Sequence, residues 1–433
     1  MQTTIALTVF LVSLALIASE KVNRSIVAMI GASLIILTGV LNFHEALESI
    51  DFNVLGLLIG MMIIVQILGK TGIFEYTAIK SVKLAKGRPV RLLFILALVT
   101  ALFSAFLDNV TTIILIVPTT LFIARILNIS PYPFVLTEIF FSNIGGTTTI
   151  IGDPPNIIIA SALDITFNEF LLTMLPIISI IIIISLFITY LLFKNKLREK
   201  IIHFKKIEKI NTEGVIKDKL LLQKSLLVLG LVLFGFFTHN IFHIEASVIA
   251  LFGAFLLLLI TNEEVEKAYE KIEWQTIFFF IGLFIIIGAL EKVGVLEIFA
   301  ELIKTKVGED ELKLSTFMLG FSGLSSGFID NIPITIVLVD LVKEMGQIGL
   351  NIKPLWVALT LGADLGGNMT MIGASANVVG IDIYKRSIDT KKEKNITFMN
   401  FMRYGFPITI STLIISLIFI VIKHLFFYHI FYK

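Results

Sequence analysis

The sequence predicts an all-α integral membrane protein made of two inverted-topology repeats, each with five spans, one re-entrant hairpin and one broken helix. Three observations carry that reading. The apolar residues come in long uncharged runs, the second half of the chain repeats the first, and each half crosses a bilayer an odd number of times.

Of the 433 residues, 56% are hydrophobic and only 16% are charged, with a mean hydropathy of +0.95. A soluble domain carries about 25% charge. No charge interrupts Ile177 to Phe193 or Leu226 to Phe237. A bilayer core takes roughly 20 such residues as helix, whereas a soluble core of this size would need amphipathic helices to cover it. Cysteine is absent, which excludes a disulfide framework, a thiolate metal site and a cysteine nucleophile. The formal net charge of +2 gives no reason to expect nucleic acid. Thr3 to Ser19 lacks a basic n-region and a small-residue cleavage site, so it reads as a retained first span.

A shift of 222 residues lays one half on the other. Asp51-Phe52-Asn53 falls on Glu273-Trp274-Gln275, Gly60 on Gly282, and Lys70, Gly72 and Glu75 on Lys292, Gly294 and Glu297. Ser104, Phe106, Asp108 and Asn109 meet Ser326, Phe328, Asp330 and Asn331. At 221, Gly145-Gly146 meets Gly366-Gly367, Gly152 meets Gly373, and Asn156 meets Asn377; at 231, Phe170 and Pro176 meet Phe401 and Pro407. Matches in Gly, Asp, Asn and Pro mark a duplication, because hydrophobic helices do not share them by accident. The repeats span 1–193 and 223–433, joined by a linker over 194–222.

Each repeat reads in the same order. Three spans come first, near 3–19, 24–41 and 52–69, then 223–240, 244–260 and 272–290. A polar interfacial helix follows near 73–87 and 294–307. Next are long segments interrupted by Asp-Asn (90–127 and 314–345) and by Gly-Gly (134–161 and 355–380). A last span closes each repeat, over 171–193 and 404–426.

If the Asp-Asn segment enters and leaves on one face, each repeat crosses five times and the second must sit inverted. Two full spans per Asp-Asn segment would instead put that pair in a loop, with no reason to recur. Lys21, Arg24, Lys80, Lys83, Lys86, Arg88, Arg91 and Arg125 fall on one side, and so does the linker 194–224, with ten Lys/Arg against four Asp/Glu. Basic loops stay cytoplasmic, which puts both termini outside. The acidic stretch Asn262 to Glu273, assigned inside, fits less well.

Four polar clusters break the apolar segments: Phe106 to Thr112, Phe328 to Pro333, Asn143 to Asn156, and Asp364 to Asn377. A carboxylate at mid-membrane costs about 2.5–3.5 kcal/mol on insertion scales, so it needs water, a cation or a partner. Irregular backbone at that depth survives only inside protein or beside a wet cavity. Glycine, which admits positive φ, and proline, which lacks an N–H, break the helices. The half-helices then offer N–H groups to anions and carbonyls to cations, and broken segments at matched positions of two inverted repeats point to a transport site. Blander readings compete: Asp108 and Asp330 as helix caps, the glycine pairs as close helix packing, and Glu138 as either a proton carrier or a buried structural group. The 37 phenylalanines read as lipid-facing filling, and the six histidines show no metal-ligand spacing.

Candidate substrate-binding residues are Asp108, Asn109, Thr111, Thr112, Asp330, Asn331, Thr335 and Asn368. Candidates for a coupling cation are Asp108, Asn109, Gly145, Gly146, Thr148, Asp153, Asn156, Asp330, Asn331, Asp364, Gly366, Gly367, Thr370 and Asn377. No catalytic residue, resident metal or cofactor is expected beyond Na+ or H+ as the coupling ion. An intramembrane aspartyl protease would need Tyr-Asp, which does not occur, and Gly-x-Gly-Asp, where Ile150 replaces the first glycine. A passive channel would call for a ring-forming filter repeat, and none is seen.

On Gly60-Met61-Met62, Thr71 to Glu75, Ser104 to Thr112 and Asn143 to Asn156, the chain resembles the ion transporter superfamily, most nearly its arsenite permease and melanosomal P protein branch, related to the divalent anion/sodium symporters. The resemblance implies an elevator-type secondary transporter of a small anion or oxyanion (arsenite-like or inorganic), coupled to a Na+ or H+ gradient, with scaffold helices holding a homodimer. It also implies hairpin-tip binding by Asp108-Asn109 with Thr111 or Thr112, and by Asp330-Asn331. The symporters carry Ser where this chain has Asp, which weighs against a di- or tricarboxylate. Sodium/proton exchange and sodium-coupled citrate-like transport are the alternatives. A separate ATPase subunit, which some arsenite permeases recruit, is compatible with the same resemblance.

Overall fold

A computed structural model describes residues 1–19, 21–197, 214–387 and 395–431, the side chains of 427–431 excepted. Most of the basic linker lies outside the described residues. Among those described there are twenty helices and no strand, and seven helices are long and apolar enough to cross a membrane.

The first ten helices are α1 (Gln2–Ala18), α2 (Arg24–Leu37), α3 (Phe43–Glu48), α4 (Phe52–Lys70), α5 (Ile73–Ala85), α6 (Pro89–Phe106), α7 (Asn109–Leu127), α8 (Tyr132–Gly146), α9 (Pro154–Ala162) and α10 (Phe167–Phe193). The second ten repeat the order: α11 (Lys219–Phe242), α12 (Ala246–Thr261), α13 (Val265–Tyr269), α14 (Trp274–Lys292), α15 (Val295–Val307), α16 (Glu311–Phe328), α17 (Asn331–Gln347), α18 (Lys353–Gly366), α19 (Ser375–Ser387) and α20 (Phe398–Phe431). The expected order holds element by element. The short helices α3 and α13 were not expected. α2 stops at Leu37, short of the expected 41, where Gly39 takes a φ of +72°.

Local chemistry sets many boundaries. Asp51 caps α4 by accepting from Asn53 and Val54 N–H at 2.9 and 3.0 Å. Pro89 and Pro154 open α6 and α9, where a missing N–H costs nothing. The chain turns from α4 into α5 through Gly72 at φ +84° and from α14 into α15 through Gly294 at φ +73°, a backbone region that favours glycine.

The two halves exchange helices. α4 packs along α12, and α14 packs along α2. Glycine makes both approaches close: a Cβ on Gly60 would lie 2.6 Å from the Ala250 carbonyl carbon, and one on Gly282 would lie 2.5 Å from that of Ala28. Both pairs obey the same 222-residue offset. Small residues at such crossings let backbones meet where no hydrophobic drive separates helix from lipid. The second arms exchange as well, α7 against α19 and α17 against α9.

Burial separates inside from outside. Every residue of α8 is buried, while Leu172, Ile183, Phe234 and Leu259 stand 65–74% exposed on α10, α11 and α12. Phenylalanine is not only filling for the lipid face, as the sequence suggested: Phe140, Phe141, Phe170, Phe279, Phe280 and Phe401 are fully buried. They fill gaps between helices, as Phe140 does edge-on to Phe401 with centroids 5.2 Å apart.

Candidate functional site

Each Asp-Asn segment turns within two residues. α6 ends at Phe106, Leu107 is extended, and Asp108 caps α7 by accepting from Thr111 N–H at 2.8 Å. In the second half α16 ends at Phe328, Ile329 is extended, and Asp330 caps α17 through Ile332 N–H at 3.1 Å. The cap reading of these two aspartates is therefore correct, and both side chains are partly exposed.

The tips meet at one carboxylate. Asn109 Nδ2 donates to Asp153 Oδ2 at 2.6 Å and to Asn143 Oδ1 at 3.2 Å. Asn331 Nδ2 reaches both Asp153 oxygens at 3.4 Å. Asp153 is 1% exposed and precedes α9 without capping it. Its counterpart in the second half, 221 positions on, is Ala374, so a single acid serves both tips.

A cavity at this meeting point is lined by Asp108, Asn109, Asp153, Glu273 and Asn331, with Arg24 and Ser375 at its rim. Arg24 Nη1 contacts Asp330 Oδ2 at 2.9 Å and Ser375 Oγ at 2.5 Å, and Ser375 Oγ donates to Asp330 Oδ2 at 2.6 Å. The guanidinium also lies over the Phe279 ring, 5.2 Å from its centroid. Glu273 accepts from the Thr276 hydroxyl at 3.1 Å. The helix N-termini of α2, α7, α9, α14, α17 and α19 all open on this cavity.

Behind the cavity the two broken helices cross. Asn156 Nδ2 donates to Gly146 O and Thr149 O, both at 3.0 Å; Asn377 Nδ2 repeats this to Gly367 O and Thr370 O at 2.7 and 2.9 Å. Asn143 Nδ2 bridges to Asn368 Oδ1 and Asn377 Oδ1, both at 2.9 Å. These amides satisfy carbonyls that the breaks set free.

Of the candidates, Asp108, Asn109, Asp153 and Asn331 line the cavity, and Asp330 is joined to it through Arg24 and Ser375. Thr111 and Thr112 are buried just inside α7. The Thr335 hydroxyl is committed to Asn331 O at 2.8 Å, and Thr370 to Gly327 O at 2.6 Å. Thr148 is buried in the first break. Asn156, Asp364, Asn368 and Asn377 belong to the crossing. Gly145, Gly146, Gly366 and Gly367 do not take the positive φ expected of them. They act by closeness: a Cβ on Gly145 would lie 2.3 Å from Ala101 O, and one on Gly366 would lie 2.3 Å from Gly323 O. Glu138 accepts from the Thr120 hydroxyl at 2.5 Å, away from the cavity.

Sequence reasoning missed Arg24, Glu273, Ser375 and Asn143. Glu273 could have been found, since the repeat sets it opposite another acid, Asp51. Arg24 gave no such signal, because it reads as an orientation charge and its partner lies 306 positions away.

The chain was compared with known proteins. A model of the citrate transporter family, CitMHS, matches residues 14–362. A 46 kDa membrane protein of Mycobacterium leprae is 40% identical over 430 residues, covering 97% of this chain and 99% of that one. An uncharacterized transporter of Mycobacterium tuberculosis is 40% identical over 428 residues, with 97% and 98% covered. The P protein of Mus musculus is 32% identical over 95% of this chain, which spans 59% of that protein's length. Among solved structures, the YdaH transporter of Alcanivorax borkumensis superposes with a TM-score of 0.57 at 12% identity, covering 98% of each chain; that likeness shows the fold alone. The chain belongs to the citrate transporter family within the ion transporter superfamily, and it is a membrane transporter.

Proposed function

We infer that this member of the citrate transporter family is a secondary active transporter that moves a small anion, coupled to Na+ or H+. The single observation that carries this reading is the convergence of six helix N-termini on a cavity whose acids outnumber its one arginine. A helix N-terminus holds roughly half a positive charge. Six of them with Arg24 come to about four positive charges, which balances Asp108, Asp153, Glu273 and Arg24's partner Asp330. A bound monovalent cation or proton then leaves the site net positive, and an anion follows. Coupling arises from charge balance at one site.

The anion class is a small oxyanion, arsenite-like or inorganic; the family name adds a citrate-like carboxylate to the panel. The geometry also favours inverted repeats with re-entrant hairpins. α6 and α7 are each long enough to cross a membrane, yet two inverted pairs of full spans would leave their turns on opposite surfaces. Here the turns meet at Asp153. In an elevator motion the α6–α9 and α16–α19 group slides against the exchanged helices α2, α4, α12 and α14, which hold a homodimer. The repeats 1–193 and 223–433 are then the two inverted units, and the basic linker is cytoplasmic.

Purified protein in liposomes tests this with arsenite, inorganic anions and citrate, under Na+ and pH gradients imposed separately. Uptake of at least one anion under one gradient is expected; no gradient-dependent flux of any would end the reading. Sodium/proton exchange is the second reading, favoured by the excess of acids over Arg24. One variant separates the two. Arg24→Gln leaves Asp330 without its 2.9 Å ion pair, and a charged hydrogen bond contributes about 1.5–3 kcal/mol. The anion KM is expected to rise about 10-fold or more. A cation exchanger would instead bind Na+ more tightly in the same variant.

A further inference from the structure

The second broken helix carries a carboxylate that the cavity does not use. Asp364 on α18 is fully buried, and neither of its oxygens has a hydrogen-bond partner. Its counterpart 221 positions earlier is Asn143, whose Nδ2 donates to Asn368 and Asn377. By the same offset Asp364 should face Thr147 and Asn156, and its carboxyl does lie against those two side chains. An amide–amide contact in one half is thus an acid–amide contact in the other.

The donors beside it are engaged with backbone carbonyls. Asn156 Nδ2 is committed to Gly146 O and Thr149 O, and the Thr147 hydroxyl donates to Asn143 O at 2.9 Å. What remains is Asn156 Oδ1, also buried without a partner, and the lone pairs of Thr147 Oγ1. A buried charge without a counter-charge or donor is strongly disfavoured.

We propose that Asp364, Asn156 and Thr147 form a binding site for a monovalent cation of the Na+ class, between the two broken helices and separate from the hairpin-tip cavity. An all-oxygen donor set suits a hard cation. One carboxylate neutralises one positive charge, whereas a divalent ion would keep a buried excess. Carbonyls at helix breaks are apt to complete the shell. The site's role in coupling rests on the transport reading above. Its test does not, because the test reads binding.

Thermal unfolding of the purified full-length protein in detergent is measured in NaCl and in choline chloride at equal ionic strength. The wild-type midpoint is expected to rise saturably with Na+ and not with choline or Ca2+. Asp364→Asn installs in the second half the amide that the first half already uses, so its NH2 donates to Asn156 Oδ1. That variant is expected to melt above the wild type without Na+ and to ignore added Na+. Thr147→Val removes one ligand and is expected to raise the half-saturating Na+ about 10-fold. An undiminished Na+ response in Asp364→Asn overturns the proposal. So does a wild type blind to Na+ whose Asp364→Asn variant still melts higher, because the carboxyl then carries its own proton in place of a cation. Absent anion flux with a Na+ response intact sinks the transport reading and leaves this site standing.

Discussion

Asp153→Asn is expected to lower gradient-driven uptake at least about 100-fold while the protein still folds. Asp153 differs from the other two aspartates of the site. Asp108 and Asp330 each use an oxygen to cap their own helix, whereas Asp153 uses none on α9. Both of its oxygens are turned to the tips, 2.6 Å from Asn109 and 3.4 Å from Asn331. Hydrogen bonds to a charged group contribute about 1.5–3 kcal/mol each, so losing the charge at two of them amounts to about 3–6 kcal/mol. The low end corresponds to about 100-fold. The amide keeps the volume of the acid, which protects the packing. Initial uptake rates in liposomes, normalised to reconstituted protein, measure the effect. A variant that retains more than about a tenth of wild-type uptake would remove Asp153 from the centre of the site.

Gly145→Val and Gly366→Val are each expected to abolish the folded protein, through contacts with no ligand involved. The carbonyls that a Cβ would strike, Ala101 O on α6 and Gly323 O on α16, both at 2.3 Å, are backbone, so no rotamer change makes room. Overpacking costs about 1–3 kcal/mol where side chains can shift, and more where a helix axis must move. α6 and α16 are the first arms of the two hairpins, so any such shift also carries Asn109 and Asn331 away from Asp153. Gly230→Ala is the matched control, since nothing lies within 4 Å of a Cβ there. It is expected to match the wild type. Yield of monodisperse protein in detergent reads all three, and a normal yield of Gly145→Val would show that the two backbones are not held this closely.

Much of this was legible in the sequence because polar residues inside apolar helices are costly and so stand out. Gly145-Gly146 recurs as Gly366-Gly367 at an offset of 221 and Asp108-Asn109 as Asp330-Asn331 at 222, and the structure brings the two Asn tips to one acid. The same offset pairs Gly60 with Gly282 and Ala250 with Ala28, so the helix exchange was latent in the repeat. What stayed hidden was contact across distance. Arg24 matters through Asp330 and Ser375, and its counterpart in the second half is Ala246, so no repeat pointed to it. The glycine pairs were read either as φ effects or as close packing, and their use is steric, because a sequence shows that a Cβ is missing but not what stands in its place. Asp364 was visible as a buried acid; only the hydrogen-bond geometry shows that its neighbours have no donor left for it.

In the proposed transporter the two hairpin tips meet inside the bilayer at one shared site. The chain has no cysteine, so single cysteines at Val110 and Ile332, which flank the two tips and line the same cavity, carry no background. In sealed vesicles of known orientation, labelling by a small membrane-impermeant thiol reagent is compared from each side, with and without an imposed ion gradient. Both positions are expected to label from the same side in a given condition and to switch sides together. Labelling of Val110 from one side and Ile332 from the other under every condition would contradict it.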